Sequence, residues 1–325
     1  MATIDEAVGT LAAALRNAGT GEVAARSVAK ALVLAEADGF KGHGLSRFSS
    51  YAAQVRAGKV KGEAIPSASL ARPGLLVVDA AFGFAYPALD LAVERLPALA
   101  RAQGIACAAI RRSHHCGSAG LFCEALSRDG LVALLFANTP AAMAPWGGRR
   151  AVFGTNPIAF ACPVEGGEPI LVDMALSKVA RGNIVTAARR GEAIPDDWAF
   201  DGDGRPTTDA QAALEGTMAP LGGAKGVALA LMVELLAGGL TGANYADEAS
   251  SFLDPEGDPP GTGQLLIAID PAAFGVSPQR FADLAQAVAV QDGARLPGAR
   301  RLEARARAMR EGLVIPDEIQ AAAGA

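Results

Sequence analysis

The stretch PALDLAVERLPALARAQGIACAAIRRSHHCGSAGLFCEALSRDGLVALLFA, residues 87–137, decides the architecture of this chain. Pro87 to Ala102 reads as a helix that Gly104 stops, and Ile105 to Ile110 is a short apolar strand behind it. Ser118 to Ser127 reads as a second helix, ending near Gly130, and Leu131 to Ala137 as a second apolar strand. Helix and strand therefore alternate, which is the signature of an α/β core.

Working outward, Leu75 to Asp79 is a strand before this block, and Ile158 to Cys162, Ile170 to Met174 and Leu265 to Asp270 are strands after it. The N-terminal part is helical. Thr3 and Glu6 fit a capping box, and Ile4, Val8, Leu11 and Leu15 repeat at helical spacing. Further helices are expected over Gly21 to Ala37 and Ser46 to Lys59. Ala187 to Pro220, rich in Gly, Asp and Pro, reads as loop, and Lys225 to Leu240 as a buried helix. Helices around Pro278 to Gln291 and Leu302 to Gly312 close the chain. The expected division is a helical part over 1–75, an α/β part over 76–270 and C-terminal helices over 271–325.

Composition bounds the function classes. The 325 residues carry 29 basic and 34 acidic side chains, a net charge of −5, and 51% are hydrophobic. Such a chain buries enough apolar surface to fold. Its mild acidity offers no footprint for nucleic acid or an anionic membrane surface. Val227 to Leu240, the longest apolar run, carries Glu234 and is too short to span a bilayer. No basic segment followed by an apolar run opens the chain, so a cytoplasmic location is expected. Cys107, Cys116, Cys123 and Cys162 are too few and too irregular for a disulfide framework or a metal knuckle.

Absent motifs narrow the chemistry. There is no GxGxxG after a strand, no GxxxxGK[ST], no GxSxG and no HExxH. Histidine is scarce: His43 in Lys41-Gly42-His43-Gly44, and the pair in Ser113-His114-His115-Cys116-Gly117. Histidine suits proton transfer near neutral pH; each could equally be a hydrogen-bonded loop residue. No metal is expected, because His114, His115 and Cys116 are adjacent and rarely point at one ion. Pro145 to Pro157, dense in Gly and Pro, reads as tight turns or as a loop offering N–H groups and a hydroxyl to a carboxylate. Gly222-Gly223-Ala224-Lys225-Gly226 opens a helix, a place that suits an anion. Arg295, Arg300, Arg301, Arg305, Arg307 and Arg310 could grip phosphate or form a solvated face.

In their order and spacing, Gly42-His43-Gly44-Leu45-Ser46-Arg47, Ser113 to Gly117, Phe153-Gly154-Thr155-Asn156-Pro157, Val172-Asp173-Met174-Ala175, Ala180-Arg181-Gly182 and Gly222 to Leu236 resemble the type-2 malate/L-lactate dehydrogenases. That resemblance covers nearly the whole chain. It implies an α/β fold unrelated to the Rossmann dehydrogenases, with a mixed-sheet cofactor domain and helices of both termini packed together in a homodimer. It implies hydride transfer between NADP (or NAD) and a small 2-oxo acid or 2-hydroxy acid, malate-, lactate- or sulfolactate-like. The alternative is reduction of a cyclic imino acid such as Δ1-pyrroline- or Δ1-piperideine-2-carboxylate. By position His43 would be the proton donor, and Arg47 and Thr155 would hold the substrate carboxylate. The cofactor would meet His115, Cys116, Gly117, Ser118, Ala119, Asp173, Met174, Ala175, Lys225 and Gly298, with Arg300 or Arg301 at a 2′-phosphate. Two positions depart from the family's pattern. Gly42 stands where Ser or Thr often precedes the histidine, and Asn183 stands where the imino-acid reductases carry Asp, so a Ser–His–Asp relay cannot form there.

Overall fold

Thr3 opens the first helix as the spacing predicts: its hydroxyl accepts the Glu6 N–H (3.2 Å) and its own N–H donates to the Glu6 carboxylate (2.8 Å). The computed structural model describes residues 1–325. The N-terminal helices are α1 (Ile4–Asn17), α2 (Glu22–Ala37) and α3 (Phe48–Arg56), with two 3-10 turns, Lys41–His43 and Leu45–Arg47, between the last two. Then come β1 (Ser67–Arg72), β2 (Leu75–Asp79), α4 (Ala85–Gln103), β3 (Ile105–Ser113), α5 (Gly120–Arg128), β4 (Val132–Ala137), β5 (Ile158–Cys162) and β6 (Ile170–Met174). The second half holds α6 (Arg181–Arg190), β7 (Ala199–Phe200), α7 (Ala210–Glu215), β8 (Thr217–Met218), α8 (Ala224–Val233), β9 (Thr262–Ile269), α9 (Gln279–Ala289), α10 (Ala299–Glu311) and α11 (Asp317–Ala323). No helix is long and apolar enough to cross a membrane.

Three expectations need correction. The segment expected as loop, Ala187 to Pro220, holds the end of α6, all of α7 and the paired dipeptides β7 and β8. These elements are too short to show a period; α7 depends on Asp209, whose carboxylate accepts the Gln211 N–H at 2.8 Å. Strand β1 joins the sheet although it lies before the expected boundary at 75/76. The helix after Gly223 is buried on one face only. Val227, Ala230, Val233 and Ala237 point inward, while Leu235 (53%) and Leu240 (68%) face solvent. It also changes to a π-helical turn over Glu234–Gly239. A run apolar all round carries no period that tells its two faces apart.

The seven-stranded sheet has the order β1-β2-β3-β9-β4-β5-β6. Strands β2 and β3 are parallel and connected through α4, whereas β9 lies antiparallel between β3 and β4. Asp79 therefore lies beside Arg111, Ser113 beside Thr262, Ala137 beside Gln264, and Ile158 beside both Phe136 and Met174. The C-terminal ends of β2, β3, β4 and β6 and the N-terminal ends of β5 and β9 consequently share one edge. In open α/β sheets that edge is where ligands bind.

One hydrophobic core joins the sheet face under α4 and α5 to the helices of both termini: Leu11 and Leu15 of α1 share it with Ala308, Leu313 and Ile319. Backbone pairing between Ala2 and Leu313 and the Asn17 amide on the Ala322 carbonyl (2.8 Å) close that junction.

Candidate active site

The turn that bears His43 is shaped by close contact. A Cβ on Gly44 would stand 2.3 Å from a Glu36 carboxylate oxygen and 3.0 Å from the Glu36 Cα, so a larger residue would displace that carboxylate. Glu36 in turn accepts the Leu45 N–H (3.1 Å) and pairs with Lys41 (2.9 Å). Arg47 donates its Nε–H to the Gly42 carbonyl at 2.7 Å, which fixes the turn and leaves its two terminal nitrogens free of any protein partner. A guanidinium held at Nε with both Nη groups open matches the bidentate geometry of a carboxylate.

From the sheet edge, the loop after β3 brings His115 against His43. Their rings stack with centroids 5.5 Å apart and planes 20° off parallel. His115 Nδ1 lies 2.6 Å from the Tyr51 hydroxyl, which lies 3.0 Å from the Tyr86 hydroxyl. Burial pushes the Tyr51 phenol up to about 12, so it stays a neutral O–H at physiological pH. Gly117 turns the chain here at φ +67°, where a Cβ would meet the Tyr86 hydroxyl at 2.6 Å. His43 itself is half-buried, and desolvation followed by the Arg47 charge lowers its pKa to about 4.

His114 takes a structural role. It is buried against the Gln54 carbonyl oxygen (2.7 Å), with Phe252 over its ring, and burial lowers its pKa to about 3. Cys116 is also buried, and its thiol is pushed up to about 12, which removes it as a nucleophile.

The expected cofactor segments meet at the same edge. Asp173 on β6 accepts the Ser118 hydroxyl and the Gly120 N–H, both at 2.8 Å. Gly298 packs against Leu171 of the same strand. Thr155, before β5, accepts the Leu176 N–H at 2.8 Å, and Leu176 accepts the Leu221 N–H at 2.8 Å, which ties the start of α8 to Met174 and Ala175. The Pro145 to Gly148 piece is a tight turn, with Gly148 N–H on the Pro145 carbonyl, whereas Thr155 keeps a hydroxyl at the edge.

Arg301 is not available for a 2′-phosphate. Its guanidinium is buried (3% exposed) between Asp38 (3.0 Å) and Glu124 (2.5 Å), and Arg305 closes the cluster with the same two carboxylates. Arg300 is exposed and forms no ion pair, and the same holds for Lys225, beside the side-chain-free N-cap of α8 at Gly223. Because Asp173 already caps the start of α5, these free cations and the open N–H groups of α8 are the donors that fit an anionic dinucleotide. Asn183 lies exposed on α6 and makes no hydrogen bond to His43.

Several residues of the site escaped the sequence reading. Tyr51 and Tyr86 are two of only three tyrosines, a scarcity that marks them in retrospect. Glu234 and Asn156 are buried together, and Glu234 was visible as the one charge in an apolar run.

Residues 2–322 match the malate/L-lactate dehydrogenase family. A (2R)-3-sulfolactate dehydrogenase (NADP(+)) from Chromohalobacter salexigens is 48% identical over 98% of this chain and 96% of its own. A Δ1-pyrroline-2-carboxylate/Δ1-piperideine-2-carboxylate reductase from Pseudomonas aeruginosa is 43% identical over 98% and 96%. The crystal structure of Δ1-piperideine-2-carboxylate reductase from Pseudomonas syringae pv. tomato superposes with a TM-score of 0.93 at 39% identity, covering 99% of both chains. Fold, site and relatives together define an oxidoreductase of the nicotinamide-dependent dehydrogenase class. The chain belongs to the malate/L-lactate dehydrogenase family.

Proposed function

We propose that this chain is an NADP-dependent 2-hydroxy acid dehydrogenase that interconverts a small 2-oxo acid and its 2-hydroxy acid, sulfolactate-like before malate- or lactate-like. The observation that carries the reading is the stack of His43 on His115 beside an Arg47 whose terminal nitrogens are free. The 48% identity to a sulfolactate dehydrogenase supports the order of substrates. The dinucleotide, when bound, supplies or takes the hydride at C2. Lys225 and Arg300 would hold its phosphates, with the loop His115 to Ala119 and Asp173 to Ala175 along its length. Arg47 and the Thr155 hydroxyl hold the substrate carboxylate, which aims C2 at one face and its oxygen at His43. His43 gives that oxygen a proton during reduction and takes it back during oxidation. The His115 ring, anchored through Tyr51 and Tyr86, keeps His43 in place where no Ser–His–Asp relay exists.

The lowered pKa of His43 gives a sign to the pH dependence. In the free enzyme the imidazole is neutral above pH about 4, ready as a base for oxidation and short of the proton needed for reduction. A substrate carboxylate on Arg47 offsets the lesser of the two causes, the guanidinium charge, while desolvation, the larger one, remains. Accordingly kcat/KM for 2-oxo acid reduction falls about tenfold per pH unit above pH ~5, while oxidation of the 2-hydroxy acid stays flat there. A cyclic imine, protonated on nitrogen, brings its own proton and needs none from a neutral His43. That is the observation favouring the second reading, a cyclic imino acid reductase.

The test is NADPH and NADH oxidation at 340 nm (the nicotinamide band) with oxaloacetate, pyruvate, sulfopyruvate and the two cyclic imines. Turnover of an open-chain acid with the pH profile above supports the dehydrogenase. Preferred turnover of an imine, with a profile that follows the imine's own ionisation, reverses the order.

We propose further that two copies pair through the exposed apolar residues of α8 and of the π-helical turn that follows it, Leu231, Met232, Leu235 and Leu240, and that the enzyme works in the cytoplasm, in keeping with four free cysteines. Light scattering should give twice the 32.9 kDa chain mass for wild type and one chain mass for Met232→Glu/Leu235→Glu. A wild-type monomer would refute the pairing.

A further inference from the structure

Glu234 is the lone charge on the α8 surface that faces the sheet, and it is 4% exposed. Its carboxylate has no lysine or arginine partner. It is satisfied by neutral donors alone: the Asn138 amide and the Ala246 N–H on one oxygen, and the Asn156 amide on the other, each at 2.8 Å. Burying a carboxylate without a cation is costly, and the helix would be better served by a leucine there unless the acceptors are required. The helix also changes to its π-helical turn at Glu234, a distortion frequent at functional sites.

Asn156 shows what is being held. It is fully buried and stands at φ +40°, a left-handed conformation uncommon for a residue other than glycine. Its amide donates to Glu234 and to the Ala230 carbonyl (2.9 Å), so its side-chain oxygen is left to accept the Thr139 N–H (3.3 Å). The Thr139 hydroxyl then accepts the Thr155 N–H at 2.9 Å and stands 3.3 Å from the Thr155 hydroxyl. The side-chain oxygen of Asn138 accepts the Gly263 N–H at 2.8 Å, which ties the same network to the start of β9.

We propose that Glu234 is a positioning residue for the substrate carboxylate: through Asn156 and Thr139 it holds Thr155 in its binding orientation. The proposal rests on Thr155 as a carboxylate contact. An acceptor-only group is needed at position 234, because every group that faces it donates. Glu234→Gln is nearly isosteric but turns an NH2 toward one of these donors, so the Asn156 amide loses its anchor and the Thr155 backbone shifts. The chemical step, which belongs to His43, and Asp173, whose carboxylate is held by Ser118 and Gly120, lie outside this network.

The experiment is steady-state kinetics on the panel acid turned over best, with NADPH affinity by fluorescence and the melting temperature, for Glu234→Gln, Asn156→Gly, the double variant and Thr155→Val. Asn156→Gly keeps the left-handed backbone while removing the amide, and it serves alone if Glu234→Gln fails to fold. The expected result is a rise in KM of about tenfold for either single variant, with kcat and NADPH affinity near wild type. The double variant should be no worse than the poorer single, because both act through one network. A KM within twofold of wild type for both single variants while Thr155→Val raises it would overturn the role of Glu234. A parallel fall of kcat, substrate affinity, NADPH affinity and melting temperature would also overturn it, as the mark of a fold residue. An unchanged KM for Thr155→Val would instead remove the contact on which the proposal rests.

Discussion

His43→Ala lowers kcat by about 10²–10⁴, the usual worth of a positioned acid or base, and leaves NADPH affinity unchanged. The geometry supplies both halves of this expectation. His43 lies on a turn of the N-terminal region, stacked on His115 with its own ring nitrogens free of protein partners, so it has a proton to trade and no other duty. Nothing in the core leans on it, since its ring is only half-buried. The loss should appear in both directions, because the same nitrogen serves as acid and as base. Single-turnover rates and NADPH titration by fluorescence separate the two quantities. Turnover at wild-type rate would refute the assigned role, and a matching loss of NADPH affinity would place His43 in the cofactor site instead.

Asp38→Ala destabilises the fold by about 3–5 kcal/mol, the cost of breaking a buried ion cluster on one side only. The Asp38 side chain is 0% exposed at the end of α2, where it accepts Arg301 at 3.0 Å and Arg305 at 2.6 Å. Removing it leaves Arg301 and Arg305 against Glu124, which already pairs with Arg128 at 2.8 Å. Arg301 has no reserve, for its Nε and second terminal nitrogen already lack partners. Solvent cannot screen the excess charge because Arg301 is itself buried. Urea unfolding at neutral pH measures the effect as a shift in midpoint with the slope preserved. A loss below about 1 kcal/mol would mean that the cluster relaxes to water, against its burial. Because α10 begins at Gly298, beside β6, NADPH affinity should weaken along with stability.

The expected strands Leu75 to Asp79, Ile158 to Cys162 and Ile170 to Met174 coincide with β2, β5 and β6. These are short apolar runs bounded by Gly, Pro and charged residues, where composition and boundaries agree. Strand β1, SASLAR, was invisible because all of its residues are exposed and its only stabilisation is pairing with β2. Likewise α11 is only seven residues long and held by Ile319 in the core it shares with α1. At the site, His43, Arg47 and Thr155 were legible through their loop motifs. Tyr51, Tyr86, Asn156 and Glu234 were not, since tyrosine in a helix or one acid in an apolar run fits an ordinary core equally well.

The linear sequence determined the longer helices and the apolar strands of the main sheet, because hydrophobic period, caps and glycine stops are local properties. It also determined the family, through the order of its loop motifs. Tertiary structure alone decided that β9, some 125 residues after Asn138, inserts between β3 and β4. That insertion sets the sheet edge on which the loops after β3 and before β5 converge. It decided too that Arg301 turns inward to Asp38 and Glu124 while Arg300 stays in water, since adjacent residues on a helix point about 100° apart and only packing selects which one meets the core.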